Sequence, residues 1–152
     1  MPSAERAIEN LIARYAFLVD DGDFAGLGEL LDRADFRLGE AVAHGQADVE
    51  ELARAVLQVY ADGTPRTRHV TTNVIIEADE QAGTATSRSY FTVFQQAEDF
   101  PLQPVASGRY RDRFERHQGA WRFTAREVSA DLVGDVSHHV RAAAQRPATT
   151  RA

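Results

Sequence analysis

The chain of 152 residues contains no cysteine and no lysine. The first absence excludes disulfides, thiolate metal sites, iron–sulfur clusters and cysteine nucleophiles. The second excludes Schiff-base chemistry and the phosphate-gripping lysine of a P-loop, and no glycine-rich nucleotide-binding motif occurs. All 17 basic residues are arginines set against 23 acidic residues, so the net charge is −6. A chain this acidic lacks the basic surface that a nucleic-acid partner requires. No run approaches the roughly 18 apolar residues of a membrane span, so no membrane partner is expected. The start, MPSAERAIENLIARY, sets Glu5 and Glu9 among its first apolar residues, unlike a secretory leader, and a cytoplasmic location is expected. Metal-ligand spacings are missing too. Neither HxH nor HExxH occurs, and the adjacent His138 and His139 cannot both face one ion from a regular element.

What is present is one domain. The length allows a single core, and 43% hydrophobic with 26% charged residues is the balance of a folded globular chain. Residues 1–144 are expected to form that domain, and residues 145–152 a disordered tail with nothing to pack. Ile8, Leu11, Ile12, Tyr15, Leu18 and Val19 recur at helical spacing, predicting a helix from Ser3, its N-cap, to about Asp20. Gly22 stops it. A second helix is predicted over 24–31, a short strand and turn over 36–45, and a third helix over 48–60. From residue 67 the period becomes two, predicting strands over 68–77, 84–96, 105–117 and 121–129. Their connections are too short for crossover helices, so the sheet should be largely antiparallel. Helices followed by long strands describe an α+β domain, with the twisted sheet wrapped around the helices and a hollow between them.

The acid–base candidates are few. Of five histidines, His44 precedes Gly45 in a loop, His117 borders a turn, and His138 and His139 lie near the C-terminus, where solvated positions are expected. Only His69 stands inside a strongly patterned strand, where it shares a face with Thr71, Asn73 and Ile75. That face either points to water, as polar residues usually do, or lines the hollow, leaving an apolar outer face for a second copy of the chain to cover. Asp20 and Asp21 end the first helix, where carboxylates oppose the helix dipole. They either lead into a solvated turn or tip one carboxylate into the hollow. Tyr15 and Asp20 stand about 140° apart on an ideal helix, so they share a face only if its last turn loosens.

Four segments carry a resemblance: IARYAFLVDDGDFAGLGELL, TRHVTTNVIIE, TSRSYFTVF and SGRYRDRFERHQGAWRFTAREV. In order and spacing, over residues 5 to 139, they resemble the SnoaL-like branch of the NTF2-like superfamily. The resemblance implies a cone-shaped, curved antiparallel sheet wrapped around three N-terminal helices, a cystatin-like α+β barrel with a deep pocket. It also implies a homodimer, or a higher oligomer, through the outer sheet face, and it turns His69 inward. The superfamily's dehydratases, scytalone dehydratase and bile-acid 7α-dehydratase among them, resemble this chain best at the catalytic positions. Their helix-end aspartate falls on Asp20, their pocket histidine on His69, and the bile-acid enzyme's helix tyrosine on Tyr15. The second pocket histidine of scytalone dehydratase finds no counterpart in 88–94.

The expectation that follows is a cofactor-independent lyase, free of metal, that eliminates water from a β-hydroxy carbonyl of a polycyclic, steroid-like or polyketide-like substrate. His69 acts as base and then acid, Asp20 orients it, and Tyr15 hydrogen-bonds the carbonyl oxygen. Asn73, Tyr110 and Asp112 are expected to hold other substrate oxygens, and Phe17, Phe91, Phe94 and Trp121 to line the pocket. Two other readings stay open. One is a polyketide cyclase or ketosteroid-isomerase-like enzyme. The other is a non-catalytic scaffold like dioxygenase small subunits, or an apolar-ligand binder.

Overall fold

A computed structural model of the chain describes residues 1–145. Helix α1 spans Ala4–Asp20, with Ser3 accepting a hydrogen bond from the Arg6 amide at its start. Its apolar stripe, Ile8, Leu11, Ile12, Tyr15 and Val19, is buried. The helix closes on Gly22, whose φ of 72° is open to glycine at little cost. The Gly22 amide donates to Val19 O and the Asp23 amide to Leu18 O, the paired bonds of a Schellman end. Asp23 then caps helix α2, Phe24–Leu30, by accepting from the Gly26 amide at 2.8 Å. Asp20 is therefore still helical, and no loosening of the last turn occurs before it.

The 36–45 region holds two strands rather than one. Strands β1 (Asp35–Leu38) and β2 (Ala41–His44) form a hairpin around Gly39. Helix α3 spans Gly45–Val56, four residues short of its predicted end. At Leu57 the backbone turns extended and bridges to Val140, while the Gln58 amide donates to His139 O and the Arg141 amide to Val56 O. Pairing with a distant segment thus replaces the helical bonds that local periodicity favoured, and Val59 is left exposed.

Four long strands follow: β3 (Thr67–Asp79), β4 (Thr84–Ala97), β5 (Phe100–His117) and β6 (Ala120–Val133). Strand β5 begins five residues before its predicted start, because the turn tightens to Glu98 and Asp99, with Asp99 at φ 57°. The sheet order is β2-β1-β6-β5-β4-β3, antiparallel throughout except where β1 runs parallel to β6. Register shifts in all three long ladders bend the sheet into an unclosed cone. At one of them Gly108 is obligatory, since a Cβ there would lie 1.9 Å from Ser129 O.

One bulge resets the faces of β3. Thr72 pairs with Tyr90 and Ile75 with Arg88, so Asn73 and Val74 together oppose Ser89. Asn73 sits at φ 57°, a left-handed conformation that asparagine tolerates. His69 and Thr71 therefore turn to the interior, and beyond the bulge Ile76 and Ala78 do so in place of Ile75. The inner face turns Phe91, Val93, Phe114, Phe123 and Val128 into one core with α1, on which α2 packs in turn. Of the expected tail, the first residue closes a 3-10 turn, Ala142–Gln145, and the rest lies outside the described residues. Among the described residues no helix is long and apolar enough to cross a membrane.

The end of α1 supplies a direct test. A Cβ on Gly22 would also lie 2.1 Å from Gly63 O, so strain and collision act together. Gly22→Ala is expected to lower stability by about 2 kcal/mol in urea titrations, whereas the same change at the open Gly63, with its own positive φ, costs less.

Candidate functional site

Asp20 leaves the last turn of α1 directly beside the first residues of β3. Its Oδ1 accepts from Thr67 Oγ1 at 2.9 Å and lies 2.6 Å from His69 Nδ1, while its Oδ2 accepts from the His69 amide at 2.8 Å. Both side chains are about nine-tenths buried, at 9% and 11% exposure. An ionised carboxylate can only accept, so Nδ1 carries the proton and the Nε2 lone pair is left free to act as a base. Three bonds to one carboxylate fix the tautomer and the plane of the ring together.

His69 lines a cavity of about 490 Å³ between the inner sheet face, α1, α3 and the segment after β6. The walls are mostly apolar, with Val19, Leu27, Phe36, Phe91 and Val128 among them. Tyr15 and Tyr110 add two phenols, their rings 5.6 Å apart. Behind them Arg126 is fully buried, its guanidinium 3.7 Å from the Tyr110 ring centre and 4.2 Å from that of Tyr15. Asp112 holds it through Nε at 2.8 Å and Nη2 at 3.2 Å, and Asp112 also accepts from Ser87 Oγ. Burial, the largest single effect, works against the arginine's charge, but Asp112 and the two tyrosines together outweigh it and keep the pKa above the ordinary arginine value. Burial pushes the Tyr15 hydroxyl up to about 12, with Arg126 opposing, and Tyr110 well above its usual range. Both phenols stay protonated and remain hydrogen-bond donors at physiological pH.

His139 also faces the cavity, which corrects its expected solvated position. It is 7% exposed, and its ring centroid lies 6.0 Å from that of His69. Burial first, and then the nearby His69, pushes its pKa down to about 4 from 6.5. Among the described residues no three histidine, aspartate or glutamate side chains converge as metal ligands.

The other expected site residues separate by face. Tyr110 and Phe91 are buried on the cavity, their rings stacked 4.6 Å apart. Asp112 is buried but spends its oxygens on Arg126 and Ser87. Asn73 is exposed, because the bulge it forms turns it outward. Phe94 lies on the outer side of β4, and Phe17 is 70% exposed. Both border a separate open groove of about 780 Å³ that His69 also touches. Trp121 is away from the cavity, under the Arg116 guanidinium at 5.4 Å. Two residues escaped the sequence reading. Arg126 had a legible signal: it pairs directly with Asp112, which alternation places between Tyr110 and Phe114 on one face. His139 had none, since it follows the last strand, where no period applies.

A curved sheet coned around helices, with an imidazole–carboxylate pair against an apolar cavity, defines an NTF2-like protein with a cystatin-like fold. Residues 3–127 match the SnoaL-like domain, and the chain belongs to that family. An NTF2-like protein with a cystatin-like fold from Novosphingobium aromaticivorans is 28% identical, with a TM-score of 0.69, over 83% of this chain and 80% of its own. A Mycobacterium tuberculosis protein of unknown function, solved as an aspartate-to-asparagine variant, is 27% identical, with a TM-score of 0.69, over 84% of this chain and 71% of its own. A candidate scytalone dehydratase from N. aromaticivorans shares the fold at 20% identity, with a TM-score of 0.67 over 86% of each chain. No curated protein matches in sequence.

The buried imidazole of His139 has a consequence for stability. A folded pKa near 4 against 6.5 unfolded means that the unfolded chain binds the extra proton between those values, so stability falls as pH drops through that window. The loss is on the order of 3 kcal/mol for a shift of this size. His139→Leu is expected to remove that part of the slope in denaturation curves taken from pH 7 to pH 4.

Proposed function

We propose that the protein is a cofactor-independent lyase that removes water from a β-hydroxy carbonyl of a polycyclic, steroid-like or polyketide-like substrate. One observation carries the reading: a nine-tenths buried imidazole, held by a carboxylate through Nδ1, presents Nε2 at an apolar cavity. A base needs an oriented lone pair, which the carboxylate supplies, and mostly apolar walls beside it strengthen the electrostatics of the proton transfer. His69 Nε2 takes the proton next to the carbonyl, and the electron pair of that C–H bond becomes an enolate. Asp20 stabilises the imidazolium. Tyr15, still protonated because burial raises its pKa, hydrogen-bonds the developing enolate oxygen. The enolate re-forms the carbonyl as the carbon–carbon double bond forms and the β carbon–oxygen bond breaks. The imidazolium proton goes to the departing hydroxyl, which leaves as water. One ring serves both transfers when proton and hydroxyl lie on the same face.

The β-hydroxy derivative of α-tetralone is a suitable probe, because loss of water yields fluorescent α-naphthol. His69→Ala and Asp20→Asn are each expected to lower kcat/KM by a hundredfold or more, about 2.7 kcal/mol, and Tyr15→Phe by about tenfold. Losses below tenfold for His69→Ala would sink the assignment of the base. Deuterium uptake next to the carbonyl of α-tetralone, with no dehydration of the hydroxy compound, would instead favour the cyclase or isomerase reading. Binding without either reaction would favour a ligand carrier or scaffold.

We also propose a homodimer through the outer sheet face. Val70, Thr92, Ser107 and Leu132 form one row across β3 to β6, and Thr72, Tyr90 and Arg109 the next. Val70, Tyr90 and Leu132 are 38%, 46% and 70% exposed, large apolar side chains set among hydroxyls on an open sheet face that an identical partner can cover. Sedimentation should give twice the chain mass, and Tyr90→Asp should shift it to monomer.

A further inference from the structure

The segment after β6 crosses the cavity and is tied down by its main chain. Gln58 Nε2 donates to Ser137 O at 2.7 Å and to Val140 O at 2.9 Å. The Tyr60 hydroxyl donates to His138 O, and Gln95 Nε2 donates to the same oxygen at 2.9 Å. The Gln58 amide completes the set by donating to His139 O. All of these bonds hold backbone, and none involves the His139 ring. That ring is turned to the cavity, with Val136 and Val140 of the same segment beside it. Its Nδ1 is buried without a hydrogen-bond partner among the described residues. An unpartnered buried nitrogen is destabilising, and an apolar side chain would finish this wall as its neighbours do. The fold therefore carries at position 139 a polar group that its own packing does not require.

The distance to His69 gives the group a use. The two ring centroids stand 6.0 Å apart, with their planes at 63°. An oxygen about 2.8 Å from one nitrogen of each ring lies about 4 Å from each centroid, and centroids 6.0 Å apart then subtend roughly 100° at it. We infer that His139 is a substrate-binding residue that holds a hydroxyl of the ligand between its own ring and that of His69. With Nδ1 sealed, Nε2 is the nitrogen within reach, and on the neutral ring it offers an N–H or a lone pair according to the tautomer, either of which a hydroxyl can meet. The assignment rests on the preceding reading that the ligand bears a hydroxyl. It deepens that reading by requiring the hydroxyl to lie beside His69, on the face where the proton is returned.

Tetralin and β-tetralol differ by one hydroxyl, and neither has a carbonyl to acidify a proton, so binding is read without turnover. In titration calorimetry the wild-type protein is expected to bind β-tetralol about tenfold more tightly than tetralin, about 1.4 kcal/mol. In His139→Leu the ratio should fall at least about threefold, the His69 hydrogen bond alone remaining, with the melting temperature at pH 7 unchanged or raised. His139→Gln keeps a donor and an acceptor and should retain part of the preference. Equal affinities in the wild type, or a preference undiminished in His139→Leu, would overturn the assignment. So would a fall of more than about 5 °C in the melting temperature of His139→Leu, which would mark a structural role. Dehydration of the hydroxytetralone is a separate measurement, so failure of the lyase reading and failure of this one are told apart.

Discussion

Asp20 joins two parts of the chain that are 47 residues or more apart, and it does so with all of its acceptor capacity on one spot. Thr67, the His69 amide and the His69 ring converge on this one carboxylate. A carboxylate this buried is tolerated only when it is multiply bonded. The same bonds that make its burial acceptable set where β3 begins relative to α1, and so which way His69 looks. Position and chemistry are here one interaction. The Schellman end at Gly22 and the contact of that glycine with Gly63 O bring Asp20 to this place, which is why a turn with no chemistry of its own matters to the site.

A second buried charge works differently. Arg126 lies between two phenol rings and against Asp112, with one Nη1 lacking a partner among the described residues. The cation fixes the planes of Tyr15 and Tyr110 by its attraction for their faces. Both hydroxyls are thereby presented from a stiff layer, and burial keeps them protonated. A donor for developing negative charge is most useful when it needs no rearrangement at the moment of reaction. Asp112, expected to meet substrate, contributes from behind by holding the arginine.

The helical stripe of α1, the period-two strands and the His69–Asp20–Tyr15 set were legible in the sequence because each follows a local period or a segment that resembles the family. Three features were not. The end of α3 is decided by pairing of Leu57 and Gln58 with residues some eighty positions away. Asn73 breaks the alternation on which its own placement was argued, since one extra residue reverses every side chain beyond it. His139 sits in irregular chain, where sequence spacing carries no direction. Phe17 and Phe94 show a related limit, because an aromatic side chain signals apolar surroundings without saying on which side of a sheet they lie.

The wall that carries His139 is contributed by chain that comes after every strand of the sheet. Without this wall the space between helices and sheet would be a wider cleft. Its anchors Gln58, Tyr60 and Gln95 bind main-chain oxygens, so the cavity-facing side chains of Val136 and His139 can change without removing these bonds. A scaffold built in this way can change what its chamber accepts by substitutions in one short stretch, while the base and its carboxylate stay untouched.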